Sequence, residues 1–200
     1  MILITGTPRT GSTFLVQLYH EMGFDTGFSD ERHAFHLEEN HRTHGGLEYA
    51  VNPKHHTSTV DELEIIKHPW GLDQKAPWRY TMINAIEFDH VIITNRDYDE
   101  SLASTKRHFS ATHYYRKPFT DGPERRKHYV DANIHLREHY PDHIEVDFPR
   151  SAVSRTYLYR QLKPSLEDRV SQSEFNAAFK TIARPEYVTS SSRTAFEDRL

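Results

Sequence analysis

The sequence contains no cysteine, so it offers neither a disulfide framework nor a thiol nucleophile. It also lacks long apolar runs, and none approaches the roughly 20 residues that a membrane-spanning helix needs. The apolar tetrad 1–4 is too short for the core of a signal peptide. Neither sign of charge dominates, because 25 basic side chains face 29 acidic ones, which argues against bulk binding of nucleic acid. We therefore expect a cytoplasmic protein without nucleic-acid or membrane partners.

The pattern of apolar residues predicts an α/β fold. The 200 residues suit one domain over 1–200, which is long enough to bury a core without disulfides or metal. Short apolar runs at 2–4, 63–66 and 91–93 are typical of buried parallel strands. Predicted helices follow or separate these strands, so we expect a three-layer sandwich with a central parallel sheet and right-handed crossovers. The predicted helices cover a stretch ending at 23, then 76–86, 97–108, 124–140 and most of the chain after a strand at 144–148.

A glycine-containing segment joins the first predicted strand to the first helix, at residues 6–13. Its two glycines, Gly6 and Gly11, allow the backbone to turn tightly around an anion. Free amides at the start of the helix, at the positive end of its dipole, then bind phosphate oxygens. The alternative is an ordinary strand-to-helix turn with no ligand. The pattern favours a P-loop-like phosphate-binding loop.

The residue after Gly11 separates this loop from the loops of ATP-using enzymes. The spacing Gly6-x4-Gly11 matches a Walker A loop, but Ser12 stands where that motif has its lysine. A nucleotide kinase or NTPase built on this loop therefore lacks the usual cation between the β- and γ-phosphates. Basic charge lies instead inside the loop, at Arg9.

The segment 8–14 resembles the 5′-phosphosulfate loop of sulfotransferases that use 3′-phosphoadenosine 5′-phosphosulfate (PAPS). That loop has a proline, a basic residue, a hydroxyl residue, glycine and two more hydroxyl residues. The resemblance implies that Arg9 neutralises charge on the bridging oxygen and the sulfuryl group. It implies that the rest of the loop holds the 5′-phosphate, through Pro8, Thr10, Gly11, Ser12 and Thr13.

A second segment, 91–104, is similar to the 3′-phosphate motif of the same family. Its strand ends in Arg96, and Ser104 follows on the next predicted helix, with Ser101 one turn earlier on the same face. A guanidinium fork with hydroxyl donors suits a dianionic phosphate. In the alternative interpretation, Arg96 pairs with Asp97 or Asp99 and the serines only decorate a helix. The resemblance extends over about the first 110 residues, and the family's Arg-Lys-Gly segment near the C-terminus is absent.

Candidates for the chemistry follow the second predicted strand. Lys67 and His68 resemble the family's Lys-x-His or Lys-x-Pro strand end, which implies that Lys67 stabilises the transferring group. His68 is the first candidate for the general base, since an ordinary histidine pKa of about 6.5 suits that role. Alternatively, one of the two only pairs with Glu64 or another nearby acidic residue. His36 and Glu38 are the other candidate bases, in a polar segment, 25–60, that we expect to cover the acceptor site.

Histidines in that polar segment also raise the possibility of a metal site. The gaps between His33, His36, His41 and His44 are three, five and three residues, not the four-residue spacing of a zinc-binding helix. We therefore expect no metal ion. Trp70 and Trp78 are candidates for the wall of an acceptor pocket or for the core.

Taken together, these residues lead to one expected function and two alternatives. We expect a sulfotransferase that moves a sulfuryl group from PAPS to a hydroxyl or amine of a small-molecule or glycan acceptor. The nucleotide product is adenosine 3′,5′-bisphosphate (PAP). The alternatives are a P-loop nucleotide kinase or NTPase, and a non-catalytic nucleotide-binding module. The sequence identifies neither the acceptor nor the oligomeric state.

Overall fold

The computed structural model describes residues 1–7, 9–28, 63–68, 86–111 and 122–183, and the side chains of all of these except 107–111. Four strands and six helices are found in these residues. The strands are β1 (Ile2–Gly6), β2 (Ile65–Lys67), β3 (His90–Asn95) and β4 (Ile144–Asp147). The helices are α1 (Ser12–Glu21), α2 (Tyr98–Ala111), α3 (Pro123–His139), α4 (Arg150–Val153), α5 (Arg155–Leu166) and α6 (Gln172–Ile182).

The strands form one parallel sheet in the order β2-β1-β3-β4. Ile2 lies beside Ile65 of β2 and beside His90 of β3, while Ile92 lies beside Ile144 of β4. Parallel strands are covered on both faces, which is why β1 is apolar almost throughout rather than alternating. The predicted α/β fold with a parallel sheet is confirmed.

Apolar side chains of β1 divide between the two faces of the sheet. Ile2 and Ile4 belong to the larger hydrophobic cluster, which they share with α1, α5 and α6. Leu3 belongs to a smaller cluster with Ile66 of β2. This division follows from the two-residue period of a strand, in which successive side chains point to opposite faces.

Several boundaries differ from the sequence prediction. β2 covers 65–67 rather than 63–66, because β1 pairs with it up to Ile4 beside Lys67. α2 continues to 111, and α3 begins at Pro123, a residue suited to the first helical position. β4 ends before Phe148. The predicted helix 76–86 lies outside the described residues except for its last residue, as does most of 25–60.

None of the helices within the described ranges is long and apolar enough to cross a membrane.

Candidate functional site

The candidate site lies where the loop after β1 meets the segment after β3. β1 has β2 on one side and β3 on the other, so the chain leaves β1 at a point where the strand order reverses. In open parallel sheets, ligands bind at the carboxyl ends of the strands beside such a point. The sheet therefore places the loop at 6–13 and Arg96 at one edge.

Backbone conformation shapes the loop for a tight turn. Gly6, Arg9 and Gly11 all have positive φ, at 144°, 68° and 87°. A Cβ on Gly6 would lie 2.4 Å from the carbonyl oxygen of Thr94, so only glycine fits where the loop leaves the sheet. Arg9 is the exception, because side chains rarely adopt this region and it costs about 1–3 kcal/mol where they do.

Hydroxyl groups close the base of the loop. Thr10 Oγ1 donates to the Thr7 carbonyl at 2.7 Å, and Thr94 Oγ1 donates to the Thr5 carbonyl at 2.9 Å. The two hydroxyl oxygens also lie 2.6 Å apart. The Thr10 hydroxyl, which the sequence assigns to the phosphate, is thus engaged within the protein and ties the loop to β3. Thr10 contributes to the site mainly by fixing the loop.

Two arginines meet behind the loop. Arg96 is only 5% exposed, and its Nη1 donates to the carbonyl of Arg9 at 3.1 Å. Arg9 Nε donates in turn to Ser104 Oγ at 3.3 Å. Burial, and then the charge of Arg96, lowers the pKa of Arg9 below the usual arginine value. The structure therefore brings together the two cations that the sequence assigns to opposite ends of a nucleotide.

The acidic partners of Arg96 differ from those considered in the sequence. Asp97 Oδ1 accepts hydrogen bonds from the backbone of Asp99 and Glu100, at 2.9 and 3.1 Å, and so caps α2. The Asp99 carboxylate lies 3.1 Å from Arg126. Glu100 Oε2 lies 3.5 Å from Arg96 Nε, which is an ion pair rather than a well-formed hydrogen bond.

The two serines that the sequence assigns to a 3′-phosphate are buried rather than on a solvated helix face. Ser101 and Ser104 are 5% and 6% exposed. Ser104 bonds to Arg9, as described above. Both lie on the side of α2 that faces the loop and Arg96.

Two residues of the site were not identified from the sequence. The Tyr129 hydroxyl on α3 donates to the carbonyl of Arg96 at 2.8 Å, and burial raises the pKa of Tyr129. The ring of Phe148, just after β4, lies 4.8 Å from the Arg96 guanidinium carbon. Helical periodicity indicates that Tyr129 faces inward with Ala132 and Leu136, but it carries no information about its partner.

Lys67 is directed towards the start of α1. Its Nζ donates to Thr13 Oγ1 at 2.7 Å, although the side chain is almost fully buried. His68 is also buried, and its backbone amide donates to the Ile4 carbonyl at 2.9 Å, which places it at the same edge of the sheet. Glu64, the alternative partner for either residue, binds Arg169 and accepts from the Asp25 amide.

Other candidates lie outside the described residues. These are Pro8, His36, Glu38, Trp70, Trp78 and the histidines at 33, 41 and 44. Within the described parts of the chain, no three histidine or acidic side chains gather as a metal site would require.

No protein-family model, curated protein or solved structure matches the chain. The resemblance to sulfotransferases therefore remains a hypothesis that depends on segments 8–14 and 91–104.

Proposed function

We propose that this protein is a PAPS-dependent sulfotransferase, with a three-layer α/β fold and a P-loop-like nucleotide site. The observation that carries the proposal is the meeting of Arg9, which is partly buried, and Arg96, which is buried, at the carboxyl ends of β1 and β3. Two neighbouring guanidiniums in such an environment are costly unless anionic groups compensate them, and Glu100, 3.5 Å from Arg96 Nε, supplies one such group. A nucleotide with a 5′-phosphosulfate and a 3′-phosphate supplies anionic groups for both.

The proposal gives each half of the site its own anion. Backbone amides at the start of α1, with Ser12 and Thr13, receive the 5′-phosphate, while Arg9 neutralises the sulfuryl end. Arg96, Ser101 and Ser104 receive the 3′-phosphate through charge-assisted hydrogen bonds. The Arg9–Ser104 hydrogen bond, at 3.3 Å, means that the residues proposed for the two anions are neighbours, as binding of one nucleotide requires.

The proposed chemistry is a direct displacement at sulfur. The acceptor oxygen or nitrogen forms a bond to sulfur while the bond from sulfur to the bridging oxygen breaks, and that oxygen keeps the electron pair as PAP leaves. The acceptor proton passes to a base, for which His68 is the first candidate. Lys67, 2.7 Å from Thr13, and Arg9 offset the charge that develops on the leaving oxygen.

A P-loop kinase or NTPase is the second candidate, and Lys67 is the observation in its favour. The Lys67 ammonium group reaches the start of α1, so it offers a cation near the place where Ser12 replaces the Walker lysine. This function requires ATP with Mg²⁺. A binding module without catalysis is the third possibility, and it requires PAP binding without turnover.

Calorimetric titration with PAP, ADP and ATP, each with EDTA or with Mg²⁺, separates these functions. We expect PAP to bind more tightly than ADP by a factor of roughly 10–150, equivalent to about 1.5–3 kcal/mol for charged hydrogen bonds. EDTA should not change this difference. Arg96→Ala should abolish the preference, whereas Arg126→Ala, which removes an exposed cation, should preserve it.

Each opposing result has a definite meaning. Equal affinity for PAP and ADP contradicts the proposed sulfotransferase site. Tight, Mg²⁺-dependent binding of ATP supports the kinase or NTPase instead. If PAP binds but labelled PAPS is not turned over with any hydroxyl or amine acceptor, the binding module is the better assignment.

A further inference from the structure

One aromatic ring touches both halves of the proposed nucleotide site. Phe148 follows β4, and its backbone amide donates to the Asn95 carbonyl at 2.8 Å, which fixes it beside the end of β3. Its ring centre lies 4.8 Å from the guanidinium carbon of Arg96. The ring also lies close to the backbone of Gly11, the residue before α1.

Phe148 lies so close to the backbone at position 11 that only glycine fits there. A Cβ built on Gly11 would lie 2.4 Å from Cδ2 of Phe148, well inside van der Waals contact. Gly11 also has a φ of 87° and stands at the N-cap of α1. The ring therefore packs against the peptide backbone from which the phosphate-binding amides of α1 extend.

The contact with Arg96 is of the cation–π type, because its guanidinium carbon lies over the ring of Phe148. A guanidinium held over an aromatic ring can still donate its N–H groups to acceptors. One of them, Nη1, donates to the carbonyl of Arg9 within the loop. The backbone of Arg96 is held separately, because its carbonyl accepts from Tyr129.

We propose that Phe148 is a positioning residue, whose ring couples the start of α1 to the guanidinium of Arg96. The coupling holds the two anion-binding halves at one separation. The inference rests on the proposed function only for the identity of the ligand. The coupling between Phe148, Gly11 and Arg96 is independent of that function. A ligand with two phosphates should depend on Phe148 more than a ligand with one.

The first experiment compares PAP and AMP binding in Phe148→Leu, Phe148→Tyr and Phe24→Leu. Phe24 is a matched control, because it is buried and also carries an arginine, Arg169, 4.3 Å from its ring centre. We expect Phe148→Leu to weaken PAP binding about tenfold and AMP binding less, as expected when a desolvated cation–π contact is lost. Phe148→Tyr should bind PAP as tightly as the unaltered protein. Phe24→Leu should lower Tm but leave the PAP affinity unchanged.

The second experiment needs no ligand and uses Gly23 as its control. Gly23 has a φ of 86°, nearly that of Gly11, but a Cβ there meets nothing within 4 Å. Gly11→Ala should therefore lower Tm more than Gly23→Ala does. In a Phe148→Ala background, that excess should disappear. If Gly11→Ala alone does not fold but the double variant with Phe148→Ala does, the coupling is supported even more strongly.

The two experiments separate the failure of this inference from the failure of the proposed function. If the unaltered protein binds PAP no better than ADP or AMP, the proposed function fails while the Tm comparison still decides the coupling. If Gly11→Ala costs the same Tm with and without Phe148→Ala, the coupling is wrong. Equal loss of PAP affinity in Phe148→Leu and Phe24→Leu also overturns it.

Discussion

Arg9 combines two unfavourable features at one residue, a positive φ of 68° and a partly buried charge. Its carbonyl accepts from Arg96 and its Nε donates to Ser104, so neighbours from β3 and α2 hold it in place. Residues kept in such conformations concentrate at functional sites, where the surrounding structure compensates the strain. Arg9 is therefore the residue whose geometry most directly indicates a function.

Replacement of Arg9 tests whether it acts on the transition state. We expect Arg9→Ala to lower the rate of sulfuryl transfer by about 10²–10³, the usual loss of one contact to developing charge. PAP affinity should change much less. Single-turnover rates and titration with PAP measure the two effects, with Arg126→Ala as the control. A proportional fall in both would make Arg9 a binding residue only.

Replacement of His68 tests whether this residue is the general base. We expect His68→Asn to lower the transfer rate by about 10²–10⁴ and to leave PAP binding near normal. His143 precedes β4, at the opposite end of the sheet, so His143→Asn is the matched control. Acceptors must first be found by screening hydroxyl and amine compounds with labelled PAPS. Full activity of His68→Asn together with loss in Glu38→Gln or His36→Asn would assign the base to the segment 25–60.

At the scale of elements, the position of β1 between β2 and β3 explains why the site lies where it does. The loop after β1, the Lys67 end of β2 and the Arg96 end of β3 all meet at one edge because the three strands are parallel neighbours. The sequence shows each strand end separately. Their meeting depends on the strand order, which local patterns do not specify.

The capping of α2 provides a test at this scale. Asp97 binds the amides of Asp99 and Glu100, and the same helix carries the serines of the site. Asp97→Ala should cost about 1 kcal/mol of stability and weaken PAP binding, because the helix start loosens next to Arg96. Ser171→Ala removes the cap of α6 and should cost similar stability without changing PAP affinity. Equal effects of the two variants on affinity would contradict this role of α2.

At the scale of the whole molecule, buried tyrosines connect stability to pH. Tyr19 is fully buried, and burial raises its pKa, although a hydrogen bond with Ser165 opposes the shift. Burial also raises the pKa of Tyr129, Tyr140 and Tyr157. The unfolded chain ionises its tyrosines near pH 10 while the folded chain keeps them neutral. The stabilising contribution is therefore complete below about pH 10 and is lost as pH rises above it.

Thermal unfolding between pH 8 and pH 11 measures this dependence. We expect Tm to fall above about pH 10, and to fall less steeply in Tyr19→Phe, which has one fewer buried hydroxyl to ionise. At neutral pH the same variant should lose about 1 kcal/mol, the usual value of one hydrogen bond. Tyr159→Phe, at a half-buried position, is the control. If Tm falls equally steeply with pH above about pH 10 in the parent protein and in Tyr19→Phe, Tyr19 does not contribute to the pH dependence.

Much of the fold, including the tight turn after β1, was predictable from the sequence, because the signals are local. Apolar runs indicate β1 and β3, and the order of strand, glycine loop and helix predicts the turn at 6–13. The position of Arg96 directly after β3 was predictable because the apolar run before it is typical of a strand. The helix predicted at 97–108 was correct in position, with its end at 111. Such patterns indicate buried strands and tight turns, and each pattern is formed by residues that are close together in the sequence.

Tertiary structure alone decided which distant groups complete the site. Phe148 and Tyr129 reach Arg96 from separate elements, and the Thr10 hydroxyl faces Thr94 rather than solvent. These contacts follow from strand order, register and helix packing. The sequence thus determined those chemical groups that belong to a local pattern, at the turn after β1 and at the ends of β2 and β3. Their mutual distances were determined by folding, because parallel strands bring together residues that are far apart in the chain.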